Sequence, residues 1–249
     1  MSSSTSRDMP SNRLRTDSLG VGAITFLVVS AAAPLTAIAG GVPISMLLGN
    51  GVGIPAAFAV AVTVLLLFSV GYATMSRYVR NAGAFYAYAA QGIGGIAGGI
   101  ASLVAILAYN SMQIGVYGLF GAATAGFLAT LGITLPWWAC AFAGIAVVAV
   151  CGYRRVDFSA TILAVLVVLE FLVVIVVDIG ILMAGGDSGF TFNSFTPAAF
   201  LSGSPAIGLL FCLASFVGFE ATAIYSEEAR DPRTTVPRAT YASVLLIGI

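Results

Sequence analysis

Lysine and histidine are absent from this chain, and charge of either sign is scarce: 8% of residues are charged, against about 25% in a soluble globular domain. The ten basic residues are all arginine and balance ten acids, so no net charge points to nucleic acid or an anionic partner. Without histidine, zinc sites lose their usual ligand and catalytic triads their base, and a pH response near neutrality falls to carboxylates. Without lysine, the Gly-x-x-x-x-Gly-Lys phosphate loop cannot occur. The three cysteines, Cys140, Cys151 and Cys212, form no C-x-x-C pair and read as small buried hydrophobes that say nothing of redox compartment. No metal, cofactor or covalent chemistry is expected.

What the chain has instead is apolar length, with 59% hydrophobic residues. Stretches such as 60–70 and 163–177 are nearly continuous, unlike the alternating strands of a membrane barrel. The expected fold is therefore all-α, with helices that cross a membrane. A tail, residues 1–18, precedes a membrane domain, residues 19–249. Six spans are read at about 19–48, 54–75, 94–128, 136–153, 158–184 and 205–225, and a seventh begins near Pro237. The first stretch is too long for a signal-peptide core, and Ala39-Gly40-Gly41 reads as part of a broken helix rather than a cleavage site.

The arginines support that count. Arg7, Arg13 and Arg15 precede the first span, Arg77 and Arg80 follow the second, Arg154 and Arg155 the fourth, and Arg230, Arg233 and Arg238 the sixth. All ten fall on one side, which the positive-inside rule makes cytoplasmic, N-terminus included, in the cell's cytoplasmic membrane. Trp137 and Trp138 suit the opposite interfacial belt. From Arg238 to Ile249 a helix would cover only about 18 Å of a hydrocarbon core about 30 Å thick, so the polypeptide is expected to be part of a longer one.

Two spans carry interruptions, which a membrane tolerates only where the freed backbone groups find partners or line a cavity. In the first, Ser30 to Thr36 places Pro34 midway, with Gly40, Gly41 and Pro43 following; a kink packed against neighbours is the alternative. In the sixth, Ser215, Gly218 and Glu220 cluster inside an apolar helix. Glu220 is a functional candidate, set against a carboxylate that snorkels or bonds a neighbouring helix. Half-helix N-termini favour a carboxylate and freed carbonyls an ammonium, so two broken helices suit a small zwitterion.

Other polar residues lie at membrane depth. Asn110, Ser111 and Gln113 group on the third span, with interhelical hydrogen bonding as the alternative to a binding role. Glu170 and Asp178, on the fifth, are about 80° apart around a helix; Glu170 is a candidate proton carrier and Asp178 lies nearer the outer end. Gly94 with Gly98, and Gly95 with Gly99, have the spacing of close helix contacts. The charged run from Glu227 to Arg233 reads first as a solvated connector and otherwise as part of an inner gate.

Two segments resemble the amino acid permeases of the amino acid, polyamine and organocation superfamily. Arg80-Asn81-Ala82-Gly83-Ala84-Phe85-Tyr86-Ala87-Tyr88 is similar to a signature after the second helix, with Arg80 in place of its proline and Ala84 in place of its second glycine. Gly218-Phe219-Glu220, then Glu227-Glu228, Asp231-Pro232 and Pro237-Arg238-Ala239, resemble the sixth helix and the loop after it; Phe195-Thr196-Pro197 is a weaker match. In the first helix the family's Gly-Ser-Gly-rich break is replaced by Ala32 to Thr36.

The resemblance implies two five-helix inverted repeats, of which this chain holds the first and the start of the second, with helices 1 and 6 broken around a substrate. It assigns the substrate carboxylate to Ala33, Pro34, Leu35, Thr36 and Ala37, and its amino group to Ser215, Phe216, Val217 and Gly218. Phe216 is an aromatic lid by that assignment and ordinary packing otherwise. Asn110 would meet the substrate side chain, and Glu220, with Glu170, would serve coupling or gating. Some relatives carry a basic residue on the fifth helix in place of a sodium ion, and this span has none. The implied function is secondary transport of an amino acid or related amine, coupled to protons. The alternatives are a non-transporting fragment acting as a membrane scaffold or assembly partner, and a channel, for which no filter motif is found.

Overall fold

The computed structural model describes residues 19–79, 81, 83–154, 160–185 and 191–248. The tail with Arg7, Arg13 and Arg15, and also Arg80, Ala82 and Arg155, lies outside the described residues. What is described is helical, and the one β-bridge, between Leu19 and Ala229, is isolated.

The helices are α1 (Val21–Ala32), α2 (Pro34–Thr36), α3 (Val42–Leu48), α4 (Ile54–Met75), α5 (Ala84–Gly92), α6 (Gly95–Thr130), α7 (Trp137–Tyr153), α8 (Ala160–Ala184), α9 (Pro197–Phe200), α10 (Pro205–Ala214), α11 (Ala221–Ile224) and α12 (Pro232–Gly248). A π-helical turn, Ala37–Gly41, joins α2 to α3. Helix α8 shows why environment outranks propensity: its Val- and Ile-rich run has the composition of a strand. In hydrocarbon, though, backbone groups must be satisfied within the segment, and only the helix does that.

Four described stretches are long and apolar enough to cross a membrane: Val21–Leu48, Gly51–Met75, Gly95–Thr130 and Ala164–Ala184. Of the six spans read from sequence, the other two are shorter helices, Trp137–Tyr153 and Pro205–Ala214, the second because the chain unwinds after Ala214. Two helices differ from the sequence reading. Helix α12 starts at Pro232 rather than near Pro237, because Asp231 begins it: its carbonyl accepts from the Thr235 N–H (2.8 Å) and its carboxylate from the Thr234 hydroxyl (2.8 Å). Helix α5 was not anticipated; it holds the Ala84 to Tyr88 part of the signature segment. Tyr88 is buried there, and burial pushes its hydroxyl up to about 12.

The described residues divide into two compact units. One contains 19–32, 62–84 and 216–248. In it α1 packs on α12, burying Ile24, Val28 and Val29 on one side and Val236, Ala239 and Val244 on the other. The Thr222 and Thr240 hydroxyls pair at 2.8 Å within that core. The charged run after α11 is more than a solvated connector: Leu19 donates to the Glu228 carbonyl and accepts from the Arg230 N–H, both at 3.0 Å, and Ala229 is fully buried.

The second unit contains 33–61 and 85–215. Helices α6 and α7 pack through glycine notches, where a side chain on Gly121 would strike Trp137 and Ala141, and one on Gly144 would strike Phe120. Gly98 faces Ala90 of α5 in the same way, whereas Gly94, Gly95 and Gly99 meet open space. At the far end of α3, buried Asn50 donates to the Phe200 carbonyl (3.1 Å) and accepts from the Ser202 hydroxyl (3.0 Å), while Gly49 accepts from the Ser204 N–H (2.9 Å). These bonds tie the start of α4 to the segment that leads into α10. Thr196 caps α9 through the Ala199 N–H (3.3 Å), which is the structural content of Phe195-Thr196-Pro197.

Candidate functional site

Both interruptions read from the sequence are present. In the first span, Ala33 adopts a left-handed conformation, φ 48° and ψ 72°, which L-residues rarely accept. Helix α1 ends there and a new helical stretch begins at Pro34, which has no N–H and a φ already suited to a first turn. Leu35 therefore carries the first N–H of that stretch, and it donates to Glu170 Oε1 of α8 at 2.8 Å. Ala37 closes the turn on the Ala33 carbonyl at 3.1 Å. Ala33, Pro34, Leu35 and Ala37 are half-buried, and Thr36 is exposed.

In the sixth span, α10 stops at Ala214 and regular helix resumes only at Ala221. Gly218 makes this possible, with φ 111°, a backbone conformation open in practice to glycine alone. Among the described residues, none donates to the carbonyls of Ala214, Ser215 and Val217. Glu220 is buried, and its carboxylate turns back to accept the Gly218 N–H at 2.9 Å. The acid thus stabilises the turn it belongs to. Its carbonyl takes the Tyr72 hydroxyl at 2.7 Å, and Phe219 packs edge-on against Phe68, 6.1 Å between centroids.

Within the first unit, Gly218 lies beside the end of α1. A methyl group there would sit 3.5 Å from Ala31 Cβ and 3.6 Å from the Ala32 nitrogen. The unwound turn of the sixth span is thus in contact with the residues just ahead of the break in the first.

The model of the amino acid permease family matches residues 28–249, which takes in both interruptions. The chain belongs to the amino acid permease family. Among curated relatives, it is 27% identical over 210 residues to the low-affinity putrescine importer PlaP of Escherichia coli K12, and equally so to PlaP of Escherichia coli O157:H7. The match covers 79% of this chain and 44% of each relative, so the chain spans less than half the length of the importers it resembles. No solved structure matches it.

The other residues named for this permease from sequence are placed as follows. Phe216 is 1% exposed, and its ring approaches Gly248 of α12. Ser215 is half-buried and donates to the Phe211 carbonyl at 3.1 Å. Asn110 is exposed, donates to Ile106 of its own helix at 2.7 Å and, with Gln113, lines a groove of about 690 Å³ beside Trp137 and Trp138. Asp178 is exposed. Sequence reasoning missed two partners, Tyr72 for Glu220 and Leu35 for Glu170. Nothing in the local pattern around Tyr72 or Glu170 signals contacts 148 and 135 residues distant.

Proposed function

We propose that this permease is a secondary active transporter of an amino acid or amine, coupled to protons, in the cytoplasmic membrane with its N-terminus in the cytoplasm. Ala33 to Ala37 and Ser215 to Gly218 bind the substrate, Asn110 meets its side chain, and Glu220 and Glu170 carry the coupling. The proposed architecture is a five-plus-five inverted repeat, of which residues 19–249 supply the first repeat and the start of the second.

The observation that carries the reading is the pair of interruptions. A membrane helix gives up backbone hydrogen bonds only where something else uses them, and the match to the amino acid permease family over residues 28–249 supports reading that something as a transported solute. The relatives named as putrescine importers favour an amine. For Glu220, support comes from its burial and its bond to the Gly218 N–H, since protonation weakens that bond and frees the turn.

The test is uptake of labelled putrescine and amino acids, driven by an imposed pH gradient, in cells expressing the protein. Uptake is expected to be saturable, and Glu220→Gln to abolish its dependence on the gradient. Gradient-dependent uptake that survives the substitution would refute the coupling role. A second reading is a non-transporting scaffold. Saturable uptake by residues 1–249 in proteoliposomes would reject it.

A further inference from the structure

The transport reading places a substrate carboxylate on the backbone N–H groups that open the helical stretch after Ala33. That position is already filled. Pro34 has no N–H to offer, so the first donor of the stretch is Leu35, and it is held by Glu170 Oε1 at 2.8 Å. The contact joins residues 135 apart in sequence, so it is an arrangement of the fold rather than local capping. A ligand carboxylate reaching for the same group would displace Glu170 or lie against it as a like charge.

The distribution of charge along the chain supplies a second, independent observation. Glu170, Asp178 and Glu220 lie in the six spans read between residues 19 and 225, while the arginines lie outside those six, Arg238 falling at the start of the seventh, and lysine and histidine are absent altogether. Those six spans therefore carry three acids and no base. A zwitterion needs a cationic or donor site for one end and an anionic site for the other, whereas an amine without a carboxylate needs only the acids. A carboxylate in hydrocarbon surroundings also calls for a cation, and the six spans between residues 19 and 225 provide none.

We infer that Glu170 determines specificity in this permease: it stands in for the substrate carboxylate at Leu35, so the site selects di- or polyamines over the corresponding amino acids. This rests on the transport reading and narrows it. Oε1 remains on the Leu35 N–H, and Oε2, which no described residue engages, receives the ammonium group.

Two ligands that differ only by a carboxylate test this: 1,4-diaminobutane and ornithine, which is the same diamine with a carboxylate on one terminal carbon. Binding of radiolabelled 1,4-diaminobutane to the purified protein in lipid nanodiscs, with ornithine as competitor, reads the preference without any substitution. The diamine is expected to bind at least 10-fold more tightly than ornithine. Glu170→Gln keeps an oxygen for the Leu35 N–H but removes the charge, and is expected to weaken the diamine at least 10-fold. Glu170→Ala frees the N–H and is expected to shift the preference toward ornithine by a similar factor, with circular dichroism and gel filtration confirming that the fold persists. Ornithine binding as well as or better than the diamine in the unsubstituted protein would overturn the assignment of Glu170 while leaving the transport reading intact. So would a diamine-to-ornithine ratio unmoved in both folded variants. Binding of neither ligand, together with no uptake of any amine or amino acid, would overturn both.

Discussion

The hydroxyl of Tyr72 on α4 donates to the carbonyl of Glu220 at 2.7 Å, so the turn that interrupts the sixth span is held by a side chain 148 residues earlier. Tyr72 is buried, and the Ala223 N–H shares the same carbonyl at 3.1 Å. Tyr72→Phe removes one donor without emptying the space. The expected cost is about 1 kcal/mol, read as a lower denaturation midpoint in detergent, with the α-helical signal unchanged.

Gly218 is required for its backbone, not for its size. A methyl group would meet Ala31 and Ala32 at ordinary contact distances of 3.5–3.6 Å, but φ 111° is closed to an L-side chain. Gly218→Ala is expected to cost about 1–3 kcal/mol and to abolish substrate binding by rewinding the turn. Gly22 on α1 faces open space in ordinary helix, so Gly22→Ala is the control and should leave thermal stability equal or slightly higher. Equal losses from both would show that the conformation at Gly218 is not what matters.

Ala33 is the converse case, a residue with a side chain in a left-handed conformation, φ 48°. Such geometry costs an L-residue roughly 1–2 kcal/mol. Ala33→Gly is therefore expected to raise the unfolding midpoint, by about 1 kcal/mol in free energy after glycine's greater freedom in the unfolded chain is set against the relief. A fall in stability on thermal unfolding would contradict the assignment of strain.

Helix α6 meets α5 at Gly98, where an added methyl group would come 2.9 Å from the Ala90 Cα and nearer still to its Cβ. Gly98→Ala forces the two helices apart at a cost of about 1–3 kcal/mol. Gly99→Ala, one residue on and in open space, should be neutral or mildly stabilising. Denaturation midpoints of the two variants separate a contact glycine from its neighbour.

Most of the span boundaries were legible, because an apolar run flanked by turn residues has one outcome in a bilayer; the second span, 54–75, is helix α4 over the same residues. Both interruptions were legible too, since Pro34 and Gly218 dictate local backbone geometry wherever they sit. Helix α5 was not, for it begins inside the signature segment, at Ala84, and its nine residues carry no apolar run of spanning length. Among the four Gly94 to Gly99 candidates only Gly98 is a contact, because spacing marks a possible face and the neighbouring helix selects the residue that meets it.

By itself, the sequence determined that this chain is a series of membrane helices with breaks near residues 33 and 218, since bilayer thickness, proline's missing donor and glycine's missing Cβ act locally. Only the tertiary structure decided what those breaks bond to. Glu170 takes the first N–H after Ala33, and Tyr72 takes the carbonyl of Glu220. Those pairings join residues far apart in the chain, and such contacts depend on how helices pack, which no local pattern encodes.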